Sequence, residues 1–508
     1  MLSSNLVWVL FISYSLIVVS VGIYAWRNQN IKSIENYYTG KGSISWFVLI
    51  MTYIASLMST WVFFAGPGGY YRGGLVFWLS ELSYIPLFPV ITYFVMNKVW
   101  LLNCERHYVT PADIYDDRFR SPVLRAILAI VFLISSLPYV ASVLVACGKA
   151  ADMASGGGVS YTSAILIMGI TMLIYVVLGG MRSVAWTDTL QGWLFIILLW
   201  VIVLSTLSVG FGGSLGRAVA NVWQNTNSWF SYPGPDGWVP YAARLGYPLS
   251  CAIGWTIMLP HVFVRAAYTG QDLQTQQRLM ISVPILQVFV WTGTMVIGLL
   301  GIALVPGLGS GETELIIPYL IQNIIQDHGP TLAYILMSGF FIGALAVGMS
   351  TANSFLLVAG SIISEDFLDK LFKLKLSYNQ KMNVARGIII ILGIGSVIIA
   401  LNPPNLVWTL IMFAIAIVMP LFPVLVGALY WKRATAPAAV IATAAGVITV
   451  LLTYFSWGIG NTWYGAIGMI VSTVLLIIVS YLTPETNKEI LDDFYGALKK
   501  AESKFYLN

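Results

Sequence analysis

The chain reads as an all-α, polytopic membrane protein of thirteen transmembrane helices, with its N-terminus outside and its C-terminus inside. Three observations lead there. Of 508 residues, 58% are hydrophobic and 9% charged, against about 45–50% and about 25% in soluble domains. Apolar runs of about 20 residues, enough for one span each, recur along the whole chain. Lys and Arg are confined to alternate loops, as the positive-inside rule requires. Little chain is left for a soluble catalytic domain, so no enzymatic activity is expected and function must lie within the bilayer.

The runs centre near Ile17, Thr52, Leu87, Ser135, Gly169, Leu199, Ile257, Trp291, Ala346, Gly395, Ile417, Val447 and Val474, numbered here as segments 1 to 13. Segment 1 has no basic leader and no small-residue cleavage site, so it reads as a retained helix and not a signal peptide. With the N-terminus outside, only Arg72, Lys149, Arg217 and Arg244 of the 26 Lys and Arg fall outside. The Trp-rich stretch between segments 6 and 7 predicts a short interfacial helix around Ala218 to Trp223. One membrane domain thus spans 1–508: an extra N-terminal helix and loop (1–44), a first group of five helices (45–210), a second (246–430), two C-terminal helices (431–483) and a charged cytoplasmic tail (484–508).

Several functions drop out. The net charge of +5 follows topology and makes no nucleic-acid-binding face. Cys104, Cys147 and Cys251 form no CxxC, and three scattered histidines make no zinc or haem centre. No GxxxxGK[ST] loop is present to hold a nucleotide. No organic cofactor is expected, which leaves a channel, a secondary transporter or a membrane-embedded sensor. A channel needs a polar pore lining, and intramembrane charge is scarce. The tail is too short for a signalling domain.

Charge inside hydrocarbon is costly and informative. Glu81 lies well inside segment 3, as a hydrogen-bonded structural carboxyl facing other helices or as a functional acid, and Asp188 sits at the start of segment 6, where stabilisation of the helix dipole is the simplest role. Two segments are interrupted. Segment 2 reads Ala55-Ser56-Leu57-Met58-Ser59-Thr60-Trp61 followed by Gly66-Pro67-Gly68-Gly69, and segment 7 carries Gly254-Trp255 and Pro260-His261 in mid-span. Where a helix unwinds, freed carbonyls can hold a cation, and a pair of interrupted spans five apart marks a substrate site. Segment 9 adds Ser350-Thr351-Ala352-Asn353-Ser354, hard oxygen donors suited to Na⁺. Segments 2 and 9 together are expected to form a two-helix cation site.

These residues resemble the sodium:solute symporter family. The most specific match is Gly179-Gly180-Met181-Arg182-Ser183-Val184-Ala185-Trp186-Thr187-Asp188-Thr189-Leu190-Gln191, similar to the family's loop entering its fifth core helix. Gly254-Trp255 with Leu259-Pro260-His261 and Arg265, and Met349-Ser350-Thr351-Ala352 with Glu365-Asp366, match as well. The resemblance implies the inverted-repeat fold named after the bacterial leucine transporter, with segments 2–6 and 7–11 as the two five-helix halves. It further implies a sodium site made by the carbonyls of Ala55, Met58 and Val347 and the hydroxyls of Ser350 and Thr351. Asp188, Asn353 and Ser354 are the counterparts of a second sodium site found in some members, although Asn353 stands where a hydroxyl is more usual.

The implied function is Na⁺-coupled symport of a small organic solute across the plasma (inner) membrane. Leu57 replaces an Asp of the proline carriers, while Phe64 to Tyr71 and Leu259-Pro260-His261 resemble the pantothenate, acetate and monocarboxylate branch. A small organic anion therefore ranks first, an amino acid second and a sugar third. Candidate solute contacts are Ser56, Ser59, Trp61, Glu81, Trp255, Met258 and His261, with Trp408 and Phe413 as gate aromatics. The alternatives are a proton-coupled carrier of the same fold, using Glu81 or Asp188, and a channel or solute sensor. Expected partners are Na⁺, the solute and lipid, with the protein a monomer or weak oligomer.

Overall fold

A computed structural model describes residues 1–27, 33–41, 43–82, 85–239, 242, 245–402, 407–457 and 462–506. Lys32 and Arg244, which enter the charge asymmetry above, lie outside the described residues. Every regular element among the described residues is a helix, with no strand among them.

The chain opens with α1 (Ser4–Arg27), then α2 (Trp46–Met58) and α3 (Ala65–Leu82). There follow α4 (Leu87–Arg106), α5 (Asp113–Phe119), α6 (Pro122–Ser155), α7 (Tyr161–Phe211) and α8 (Leu215–Asn225). The second half holds α9 (Tyr247–Met258), α10 (Pro260–Ala267), α11 (Leu273–Leu304), α12 (Pro330–Leu371), α13 (Tyr378–Leu401) and α14 (Val407–Tyr430). Last come α15 (Ala436–Trp457), α16 (Trp463–Leu482) and α17 (Lys488–Tyr506).

Among the described residues, ten helices are long and apolar enough to cross a membrane, and the bent pair α9–α10 makes an eleventh if it is one span. Segments 2 and 5 correspond to the shorter apolar helices Trp46–Met58 and Tyr161–Ile174. The short helix expected near Ala218 is α8. Local chemistry sets many boundaries: the side chains of Ser121, Ser160 and Asp272 cap α6, α7 and α11 by accepting from backbone N–H groups of the first turn, and Ser377 with Gln380 forms a capping box on α13.

Two glycines turn the chain between spans. Gly74 (φ 67°) ends the first part of α3, and Gly180 (φ 58°) divides α7 into segments 5 and 6. A Cβ on Gly74 would lie 2.3 Å from the Trp229 carbonyl oxygen, and one on Gly180 2.6 Å from that of Tyr37, so both the left-handed φ and the close approach demand glycine.

Buried ion pairs tie the elements at both ends. At the basic end, Arg125 of α6 binds Asp113 and Asp116 of α5 at 2.9 Å each and also Asp366 of α12, while Thr110 donates to Asp366 at 2.9 Å. At the opposite end, the fully buried Glu314 lies 3.3 Å from Lys149 of α6 and accepts the Trp408 N–H at the start of α14.

The charged tail forms a docked helix. Phe494, Leu498 and Ala501 of α17 are buried, Phe505 packs on Trp100 of α4 at 4.9 Å, and Lys500 binds Glu105 at 2.6 Å. Asp493 accepts from Arg106 and Arg120, and the Arg106 hydrogen bond holds its carboxyl below the usual range. A depressed carboxylate stabilises the folded state above its unfolded pKa of about 3.9 and less as pH falls below it, so α17 should loosen in acid. Phe494→Ala should cost about 3 kcal/mol of docking. Cleavage within 488–506 by a soluble protease should then be about a hundredfold faster, with the remaining helices still protected; an unchanged cleavage rate would contradict this docking.

Candidate solute and sodium site

The site follows from how α2 ends. Its last turn leaves carbonyls without helical partners, and Ser59 turns to φ 55°, a left-handed value unfavourable for a residue with a Cβ. A short 3₁₀ turn, Thr60–Val62, and α3 carry the chain onward. The freed carbonyls are met by side chains from other elements. Ser350 of α12 donates to the Ala55 oxygen at 2.9 Å, Thr351 to that of Ser56 at 3.1 Å, and Trp255 of α9 to that of Leu57 at 2.8 Å.

Ser350 and Thr351 also approach the Val347 carbonyl, at 3.0 and 3.2 Å. The structure therefore brings together four of the five expected sodium ligands: the Ala55 and Val347 carbonyls and the two hydroxyls. Met58, the fifth, is buried at the end of the same helix. Rotation of the two hydroxyl hydrogens would turn their lone pairs towards a shared cation without moving the backbone.

One turn deeper lies a polar network that holds Asp188. Its Oδ2 accepts from Thr52 at 2.6 Å, from Ser56 at 3.2 Å and from Arg265 of α10 at 3.2 Å, with Ser354 at 3.5 Å. Arg265 donates to Ser354 at 2.7 Å, to Thr52 at 3.0 Å and to the His261 carbonyl at 3.0 Å. Asp188 lies beyond the Gly180 break and is fully buried as an ion-pair partner, so stabilisation of a helix start is not its role. Its Oδ1 has no hydrogen-bond partner. Ser56 and Ser354 meet at 2.8 Å, and Asn353 is buried beside them in sequence on α12.

Above the break lies an aromatic cluster. Trp61 packs edgewise on Trp255 at 5.6 Å and on Trp291 of α11 at 6.1 Å. His261 points its Nε2 at the Ser56 carbonyl oxygen, 3.3 Å away, and its ring lies 3.8 Å from that of Phe355. Thr60 Oγ1, Trp61 Nε1 and His261 Nδ1 are buried without a hydrogen-bond partner. Ser56, Ser59, Trp61, Trp255, Met258 and His261 thus gather around the two helix breaks. Glu81 does not reach them. It is held by the hydroxyls of Tyr70 and Tyr247, the latter at 2.8 Å. Trp408 packs on Phe77 and Tyr247 beside Glu81, whereas Phe413 turns to Tyr454 of α15.

Sequence reasoning missed Thr52, Leu57 as a carbonyl acceptor, Trp291 and the ion-pair role of Arg265. Helical spacing offered a signal for two of them: Thr52 is one turn before Ser56 and Arg265 one turn after His261, so each shares its neighbour's face.

Solved structures place the fold. The chain superposes on the substrate-bound, outward-open state of a Na⁺-coupled sialic acid symporter with a TM-score of 0.76 at 20% identity, covering 95% of this chain and 98% of that one. A closed nucleobase-cation-symport-1 family transporter matches with a TM-score of 0.54 at 12% identity, over 94% and 98% of the two chains. These likenesses show the fold, the one named after the bacterial leucine transporter.

Among sequence relatives, the sodium/pantothenate symporter of Haemophilus influenzae is 26% identical over 430 residues, 84% of this chain and 85% of the relative. The sodium/proline symporter of Escherichia coli is 28% identical over 490 residues, 92% of each chain. The family model for sodium:solute symporters matches residues 37–446. With its two broken helices and the oxygen cluster between α2 and α12, this multi-pass membrane protein belongs to the sodium:solute symporter family.

Proposed function

We propose that the protein couples the uptake of a small organic anion to one Na⁺ by alternating access, the ion lying between α2 and α12 and the solute at the α2 and α9–α10 breaks. The observation that carries this reading is the convergence of the Ala55 and Val347 carbonyls with the Ser350 and Thr351 hydroxyls. A cation there would clamp the end of α2 to α12, and so favour the arrangement in which the adjoining break is shaped for solute. A differential affinity of about 1–3 kcal/mol suffices for such coupling. One Na⁺ carried with one monovalent anion moves no net charge, so the Na⁺ concentration gradient, and not the membrane potential, drives uptake. All thirteen apolar segments span the bilayer in this reading, with the basic end cytoplasmic.

An anion is supported by what surrounds the breaks. The nearby carboxylates are already engaged, Glu81 by two tyrosines and Asp188 by Arg265, while Thr60 and Trp61 present unused donors. Leu57 contributes only its carbonyl and offers no carboxylate to an amine. The match to the pantothenate symporter fits a pantothenate-like or monocarboxylate solute; the longer match to the proline symporter, 490 against 430 residues, makes an amino acid the second reading.

Single-ion coupling is supported by Arg265. It donates to Asp188 and Ser354, two of the three residues expected at a second sodium, and so already supplies the positive charge there.

Two outcomes are expected in proteoliposomes. Ser350→Ala or Thr351→Ala should raise the Na⁺ concentration for half-maximal uptake tenfold or more, about 1.4 kcal/mol or more of lost ion affinity; wild-type sodium dependence in either variant would remove the ion from this site. In the unmodified protein, initial uptake should rise hyperbolically with Na⁺, with a Hill coefficient near one. A coefficient near two would instead place a second ion at Asp188, Asn353 and Ser354.

A further inference from the structure

Gln287 stands in the middle of α11 with its side chain fully buried, and neither its Oε1 nor its Nε2 has a hydrogen-bond partner. An amide with both ends unsatisfied is disfavoured in any interior and more so in hydrocarbon. Each such group in a native structure calls for an explanation.

Its position on the helix supplies one. Gln287, Trp291, Thr294 and Gly298 follow the i, i+4, i+7, i+11 spacing of a single face. That face looks onto the α2–α3 break: Trp291 packs 6.1 Å from Trp61 and 6.2 Å from Trp255, and a Cβ on Gly298 would lie 2.5 Å from that of Tyr70. The other side of α11 is accounted for, since a Cβ on Gly293 would meet Leu199 of α7 at 2.9 Å. Gln287 precedes Trp291 by one helical turn, which sets it next to the ring that packs on Trp61 and Trp255. Trp61, across from this face, also carries an unpartnered donor, Nε1.

We propose that the Gln287 carboxamide is a solute-binding group that selects solutes carrying an O–H or N–H donor next to a carboxylate or carbonyl. The proposal rests on the symport reading above and narrows its solute class. Nε2 donates to the solute's carboxylate or carbonyl oxygen, Oε1 accepts from its hydroxyl, amide or ammonium hydrogen, and Trp61 Nε1 supplies a second donor. Hydroxy acids, amido acids and amino acids satisfy both ends of the amide. Acetate satisfies only one.

The test is Gln287→Leu, which keeps the side chain's bulk and removes both polar atoms. In detergent with KCl and no solute, the variant should melt at or above the wild-type temperature, because an unsatisfied buried group has been replaced by an apolar one. A lower melting temperature would mean that the amide already bonds within the protein, and would overturn the proposal. With NaCl present, pantothenate, lactate, proline and acetate are then compared as stabilising ligands of both proteins. At least one of the first three should stabilise wild type more than acetate does, and Gln287→Leu should need at least ten times more of that solute for the same shift. Equal shifts in the two proteins, or acetate as the best wild-type ligand, would also overturn the proposal. Stabilisation by Na⁺ over K⁺ should persist in Gln287→Leu; its absence from both proteins would fail the symport reading itself, a separate result.

Discussion

A backbone carbonyl in hydrocarbon needs a donor, and the structure around the site is organised by the four that the end of α2 releases. Three of them receive side chains from three other elements, α12, α9 and α10. A continuous helix would need none of these contacts, and Ser350, Thr351 and Trp255 would have no reason to converge. The break at Ser59 thus both creates the polar site and fixes which elements surround it. In the proposed symport the same hydroxyls would turn from these carbonyls to the cation.

Charge is handled by the same rule. Asp188 and Arg265 are both fully buried, and each would be untenable alone. Together with Thr52, Ser56 and Ser354 they form a neutral knot that joins α2, α7, α10 and α12 one turn below the candidate ion site. Arg125 with its three aspartates and Glu314 with Lys149 play corresponding parts near the two ends of the bundle. Away from these ties, the lipid-facing sides of the long helices expose large apolar residues such as Ile170, Ile285 and Ile391, as a bilayer requires.

Much of the fold was legible in the sequence because the bilayer imposes so strict a pattern: length, hydropathy and loop charge locate the apolar segments with little help from tertiary context. The breaks were legible too, since Gly254-Trp255, Pro260 and the hydroxyl run at Ser56 to Thr60 interrupt otherwise uniform spans. Pairing across the molecule was much less legible. That Asp188 would meet Arg265, 77 positions away, depends on how four helices pack. Glu81, an acid in an apolar run, read equally as a solute ligand and as a structural carboxyl, and only packing shows that two tyrosines, one of them 166 residues further on, hold it in the second role. The tail read as merely charged, because Phe494, Leu498 and Ala501 form too narrow a stripe to stand out among the charged residues of α17.

The central claim is that ion and solute binding are coupled through the end of α2. Thermodynamic reciprocity tests it most directly: the factor by which Na⁺ tightens solute binding must equal the factor by which solute tightens Na⁺ binding. Titration calorimetry of the purified protein with the solute found to stabilise it, at zero and saturating Na⁺ with K⁺ as the balancing ion, gives the first factor, and titration with Na⁺ at zero and saturating solute gives the second. Equal factors of about five to a hundredfold are expected, in the usual range of 1–3 kcal/mol. Solute affinity that is the same in Na⁺ and K⁺ would contradict it.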